Sequence, residues 1–271
     1  MTIRFRNRMT LIFFIVAVSF LMLGTFFTLY QFFSHGIVIP EVYITSPSNN
    51  LFLQYNTICV FAGIFILLLY VCLTTLIIYH SFEKTQAPDI VFFLLFLAAC
   101  LCDTTRLAVP TFRLSGTFSI FMLKIGNLHL FARLLAPLAL MATTVLSTDD
   151  FKQNTDRNTI ILIIIAMFFA EIIPLNTAVI LPNFCISYGY EKAIRMFSFL
   201  TAGLSAVSLF FTNKKNEYKQ IMTLGYILLC LGYSLIFYCY NIVTLAAGTI
   251  LLGAGSYLYL NEVHKHYLWI D

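Results

Sequence analysis

Eight apolar runs, at residues 9–33, 51–80, 89–110, 118–147, 159–180, 193–212, 221–239 and 242–260, follow one another with only short polar intervals between them. An α-helix of about 20 apolar residues crosses a hydrocarbon core about 30 Å thick. Lipid offers no water to an open N–H or C=O, so runs of this kind must fold as helices that bond internally. The expectation is an all-α integral membrane protein with about eight transmembrane helices. Composition agrees: 60% of the residues are hydrophobic, 28 are Phe and only 10% are charged, which lies outside the range of soluble domains. The longest polar intervals, 34–50 and 148–158, are too short to bury a core of their own.

Orientation follows from the basic residues in short loops and tails. Arg4, Arg6, Arg8, Lys84, Lys152, Arg157, Lys214, Lys215, Lys219 and Lys265 fall on one side of an eight-span threading. Only Arg113 and Lys192 are loop residues on the other, with Lys124 near the outer end of the fourth helix. Both termini are therefore expected in the cytoplasm, in a multi-pass protein of the cell membrane, the cytoplasmic membrane in a bacterium. The first run is too long for a signal-peptide core and no A-x-A site follows it, so it reads as a retained anchor. Three units result: an anchor helix and short external loop (1–50), a seven-helix bundle (51–260) and a short cytoplasmic tail (261–271). The external loop carries Pro40, Pro47 and a β-prone VYIT. Pro174 is expected to kink the fifth helix, and Trp269 to lie near the headgroups.

The net charge of +4 is spread over helix ends, a topology signal rather than a nucleic-acid footprint. Seven cysteines show no CxxC spacing. Of these, Cys185 and Cys239 would both fall on the external side, where one disulfide could join them; the others read as small core residues. Gly225 and Gly232, and Gly248 and Gly255, are each seven apart and predict close backbone approach of helices seven and eight. Those two helices carry no lysine for a retinal Schiff base. HExxH, GxSxG, clustered DxxD and a Gly-rich phosphate loop are all missing from the sequence. Neither a metal nor a cofactor is expected, and His264 and His266 read as a solvated tail.

The run at 89–110 carries Asp103 and Arg106, three apart on one helix face. Each costs on the order of 2.5–3.5 kcal/mol at the membrane centre and must meet protein or water. Counting from the inner helix ends at 1.5 Å per residue puts Glu171 about 18 Å up, Asp103 and Arg133 about 21 Å, Arg106 and Arg195 about 25 Å, and His129 slightly higher. Gly126, His129, Arg133 and Pro137 share one face of the fourth helix. Six groups, Asp103, Arg106, His129, Arg133, Glu171 and Arg195, are thus expected around a polar pocket between helices three to six, open to the outside. Three arginines against two carboxylates favour an anionic small molecule or a lipid headgroup, since guanidinium forks match carboxylate and phosphate. Glu171 and His129 could also serve as an acid/base pair for lipid chemistry. A transporter or channel component is the alternative, as is a structural subunit of a membrane complex.

The segment FAGIFILLLYVCLTTLIIYHSFEK, with Gly63 ahead of LLLY and a charged inner loop, resembles the opening of the seven-helix membrane module of bacterial receptors with diverse intracellular signalling outputs. The resemblance covers 51–260 and rests on apolar periodicity. It implies a sensor, but the usual ectodomain is replaced by about seventeen residues and the chain stops eleven residues past helix eight. A sensor so reduced is expected to signal through a membrane protein partner.

Overall fold

The computed structural model describes residues 3–34, 54–83, 85, 87–112, 114, 120–145, 155–213 and 217–268. The external-loop segment VYIT, Trp269, and the topology residues Lys84, Arg113, Lys152, Lys214 and Lys215 fall outside the described residues. The chain is nearly all helical: α1 (Ile3–Ser34), α2 (Thr57–Ser81), α3 (Pro88–Asp103), α4 (Ile120–Val145), α5 (Thr155–Ile172), α6 (Glu191–Asn213), α7 (Glu217–Phe237) and α8 (Ile242–Leu268), with a two-stranded hairpin between α5 and α6. Among the described residues six helices are long and apolar enough to cross a membrane: α1, α2, α3 with its extension to Thr111, α4, α6 and α8. The architecture is that of a polytopic membrane protein. α7 adds a shorter apolar stretch, Ile221–Phe237.

Local chemistry sets the helix ends. Asn56 caps α2, its side chain accepting from the Ile58 N–H at 2.9 Å. Pro88 opens α3 at a position where its missing N–H leaves nothing unpaired. α3 and α4 form the middle of the bundle, with 72% of each membrane window buried, whereas α1 is peripheral at 11%. One stretch along α3, α4 and α8 forms the main core, where Phe93 stacks on Tyr259 at 5.6 Å.

α7 and α8 pack backbone to backbone, as the paired glycines predict. A Cβ on Gly232 would lie 2.4 Å from the Leu252 nitrogen, and one on Gly255 2.6 Å from that of Leu229. Gly225 and Gly248 are as tightly met, the first by the Tyr259 nitrogen at 2.8 Å and the second by Ile236 at 2.8 Å.

The start of α1 and the end of α8 lie at the end of the bundle that holds the α2–α3 connection. Arg6 donates to the carbonyls of Phe82 and Thr85, and Asn7 to that of Glu83. From the other terminus, His264 sits edge-on to Phe82 and the Tyr267 hydroxyl donates to Asp89 at 3.2 Å. At the opposite end the start of α2, the α7–α8 turn and the hairpin meet. There the Asn56 N–H donates to the Tyr240 carbonyl at 2.8 Å and Tyr55 to that of Pro182 at 3.2 Å.

The fifth helix departs from expectation. It stops at Ile172 instead of kinking at Pro174 and running to residue 180. Proline disfavours helical backbone at the residue before it, and the β-prone stretch that follows forms strand β1 (Leu175–Ile180), paired antiparallel with β2 (Ile186–Tyr188). Leu175 faces Tyr188 and Ile180 faces Ile186 across an irregular register. Phe184 turns the hairpin with φ 64, a left-handed conformation costly for an aromatic residue, and is held there with its ring fully buried against Phe61. Gly126 on α4 makes room for the hairpin: a Cβ there would lie 2.8 Å from Leu175 and 3.2 Å from Ile186. Cys185 and Cys239 are both free thiols, so no disulfide joins them.

Candidate functional site

A proline stands four residues after each of the two central arginines, and one of them coincides with a change of backbone. A proline lacks the N–H that would reach the carbonyl four residues back, and its ring crowds that carbonyl. Pro110 stands four residues after Arg106, and Pro137 four after Arg133. Just ahead of Pro110, α3 tightens into a 3-10 turn, Thr104–Leu107, before one last α turn, Ala108–Thr111. Hydroxyls flank the change: Thr104 donates to the Leu101 carbonyl and Thr111 to that of Leu107, each at 2.6 Å. In a 3-10 turn residues i and i+3 eclipse, which brings Arg106 over Asp103. α4 carries Pro137 without leaving its helical path.

Asp103 is the hub. His129 Nδ1 lies 2.9 Å from its Oδ1 and Arg106 Nη2 3.7 Å from its Oδ2. Asp103, Arg106, His129 and Arg133 are all buried, with 3% exposure or less. The fifth element of the cluster is Phe237, the last residue of α7. Its carbonyl sits at the negative end of a helix, where no intrahelical donor remains, and accepts from Arg106 Nη1 and from Asn183 Nδ2, each at 3.0 Å. Its ring stacks on His129 at 5.3 Å and supports the Arg133 guanidinium at 4.0 Å. Arg133 Nη2 donates to the Tyr238 hydroxyl at 3.0 Å, and its guanidinium lies 5.0 Å from the Tyr238 ring. The Cys185 thiol, delivered by the hairpin, stands 3.8 Å from His129 Nδ1 and 4.0 Å from Arg106.

Two guanidiniums, Arg106 and Arg133, stand in this cluster against one carboxylate, Asp103. Aromatic faces and the Phe237 carbonyl offset part of that excess. Several polar atoms stay unfilled: Arg106 Nε, Arg133 Nε, His129 Nε2 and the Tyr233 hydroxyl have no hydrogen-bond partner among the described residues. Neither Asp103 oxygen accepts a well-aligned hydrogen bond, so its contacts are ion pairs by distance only.

Four of the six expected residues therefore converge, and two do not join them. Glu171 is exposed, held by Asn127 at 2.9 Å and Lys124 at 3.4 Å. Glu171 falls in the last turn of α5, which stops at Ile172, and its side chain turns to these two partners instead of the cluster. Arg195 pairs with Glu191 at 2.6 Å on the first turns of α6, half exposed, and reaches the cluster through Tyr238, whose ring lies 5.2 Å away and whose hydroxyl also interacts with it. The compartment is also closed where an opening was expected, because the hairpin buries Asn183, Phe184, Cys185, Ile186 and Tyr188 over it. An acid/base pair of Glu171 and His129 does not form. A relay through His129 is disfavoured too, since Asp103 and Cys185 approach the same ring nitrogen.

Sequence reasoning passed over Phe237, Tyr238, Asn183 and Cys185, for which no spacing gives a signal. The prolines four residues after Arg106 and Arg133 were the legible clue. No family model and no curated protein matches this chain, so the chemistry of the cluster carries the functional reading.

Proposed function

We propose that this chain is a receptor-like membrane protein that binds an anion, a small carboxylate or phosphate or the headgroup of an acidic lipid, through Arg106 and Arg133. One observation carries the reading: a net positive charge enclosed among membrane-spanning helices, with guanidinium donors left unfilled. A buried charge lacking a full complement of partners is costly, and a bound anion removes the excess and fills the donors together. The 3-10 turn at Thr104–Leu107 interrupts α3 beside the two charged groups, the kind of local irregularity through which occupancy can bias a helix.

In this reading the eight helices are eight spans with both termini in the cytoplasm. Arg4, Arg6 and Arg8 at one terminus and Lys265 at the other support that sense, both lying at the same end of the bundle. The hairpin end then faces outward, and a membrane partner takes up the signal, as the resemblance to the seven-helix receptor module suggests.

The test is thermal unfolding of the purified protein in a neutral detergent at constant ionic strength, with acetate, inorganic phosphate or phosphatidylglycerol added. A ligand at 100 times its Kd stabilises the folded state by about 2.7 kcal/mol. Stabilisation by acetate or phosphate points to a soluble anion, and by the lipid alone to a headgroup. Arg133→Gln is expected to abolish the response. An unfolding temperature indifferent to all three probes refutes the proposal.

A further inference from the structure

Resting on that reading, we infer that the anion is a planar carboxylate bound side-on to Arg133, and that Tyr238 occupies its seat until it arrives. The side edge of a guanidinium is formed by Nε and Nη2, and a carboxylate fills both donors at once. On Arg133 this edge is half used. Nη2 donates to the Tyr238 hydroxyl at 3.0 Å, while Nε is buried with no partner among the described residues. A phenol has one oxygen and no charge, so it satisfies one donor of the pair and none of the electrostatics.

Shape narrows the class. The Phe237 ring covers one face of the guanidinium at 4.0 Å, so an oxyanion lying in the guanidinium plane clears it, whereas a tetrahedral one is crowded. The guanidiniums of Arg106 and Arg133 outnumber the one carboxylate of the cluster, Asp103, so the seat favours an anion.

The approach is marked by a second arginine. Arg195 is half exposed at the rim and stands 5.2 Å from the same Tyr238 ring that lies 5.0 Å from Arg133. Tyr238 thus bridges an exposed cation and a buried one. It is the first residue beyond α7, in the turn before α8, outside the helical hydrogen-bond ladder, and its ring packs edge-on to Phe237 at 4.7 Å.

The experiment compares acetate and inorganic phosphate binding, by ligand-dependent thermal shift, in the wild-type protein, Tyr238→Phe, Tyr238→Leu and Arg133→Lys. Removing the phenolic oxygen deletes the competitor for Nη2, so Tyr238→Phe is expected to bind acetate roughly tenfold more tightly, a hydrogen bond to a charged group being the difference. Phosphate is expected to gain less. Arg133→Lys keeps the charge but loses the fork, and acetate binding should fall by about tenfold or more. Tyr238→Leu reports on the same competition if the phenylalanine variant does not fold. Acetate binding unchanged or weakened in both Tyr238 variants, or a preference for phosphate, overturns the seat and its occupant while leaving anion binding intact. No response to either anion in the wild-type protein or the Tyr238 variants overturns the seat; if phosphatidylglycerol also has no effect, the proposed function falls with it.

Discussion

Asp103→Asn isolates the charge balance of the core. The side chain is fully buried, 2.9 Å from His129 and 3.7 Å from Arg106, and the amide is nearly isosteric, so packing hardly changes. What changes is the only carboxylate among the four central groups. Removing one partner of a buried ion pair costs about 3–5 kcal/mol, because the remaining charge stays desolvated. Against a typical stability of about 5–15 kcal/mol, that is a large share of the total. The double variant Asp103→Asn with Arg106→Met removes opposite charges together, and the Phe237 carbonyl keeps its bond from Asn183 at 3.0 Å. It should therefore be less destabilised than the two single changes summed, by about 1–3 kcal/mol. Unfolding in mixed detergent micelles can be followed by maleimide labelling of Cys100 and Cys185, both buried. An Asp103→Asn protein within about 1 kcal/mol of wild type, or additive behaviour in the double variant, would refute the view that this carboxylate neutralises the core.

Other changes probe the packing and the outlying charges. Gly232→Ala sets a methyl group 2.4 Å from the Leu252 backbone nitrogen, so α7 and α8 must separate, at about 1–3 kcal/mol. Gly253→Ala, where nothing lies within 4 Å, should be neutral or stabilising by up to about 1 kcal/mol through helix propensity; the same unfolding assay compares the two. Glu171→Gln breaks an exposed pair with Lys124 and should shift stability by no more than about 1 kcal/mol. It should also leave acetate and phosphate titrations unchanged, which checks that Glu171 lies outside the site.

The helices were the most readable part of this chain. In lipid every backbone group must be satisfied within its own helix, a requirement met locally, so apolar length alone reveals where helices run. The glycines of α7 and α8 were readable for a related reason, since a seven-residue spacing keeps both on one helix face. The fifth helix was misread because apolar character is common to a helix and to a buried hairpin, and Pro174 with the β-prone residues after it decided between them.

The candidate site divides along the same line. Sequence by itself determined that Asp103 and Arg106 fall on one face of one long apolar helix and His129 and Arg133 on one face of another, because rise and rotation per residue are fixed by the peptide bond. Only the tertiary structure decided that α7 ends at Phe237 with its carbonyl toward Arg106, that the hairpin lays Cys185 beside His129, and that Tyr238 stands between Arg133 and Arg195. Those contacts join residues up to 131 positions apart. They depend on where each helix stops and how it is rotated against its neighbours, which no local periodicity encodes.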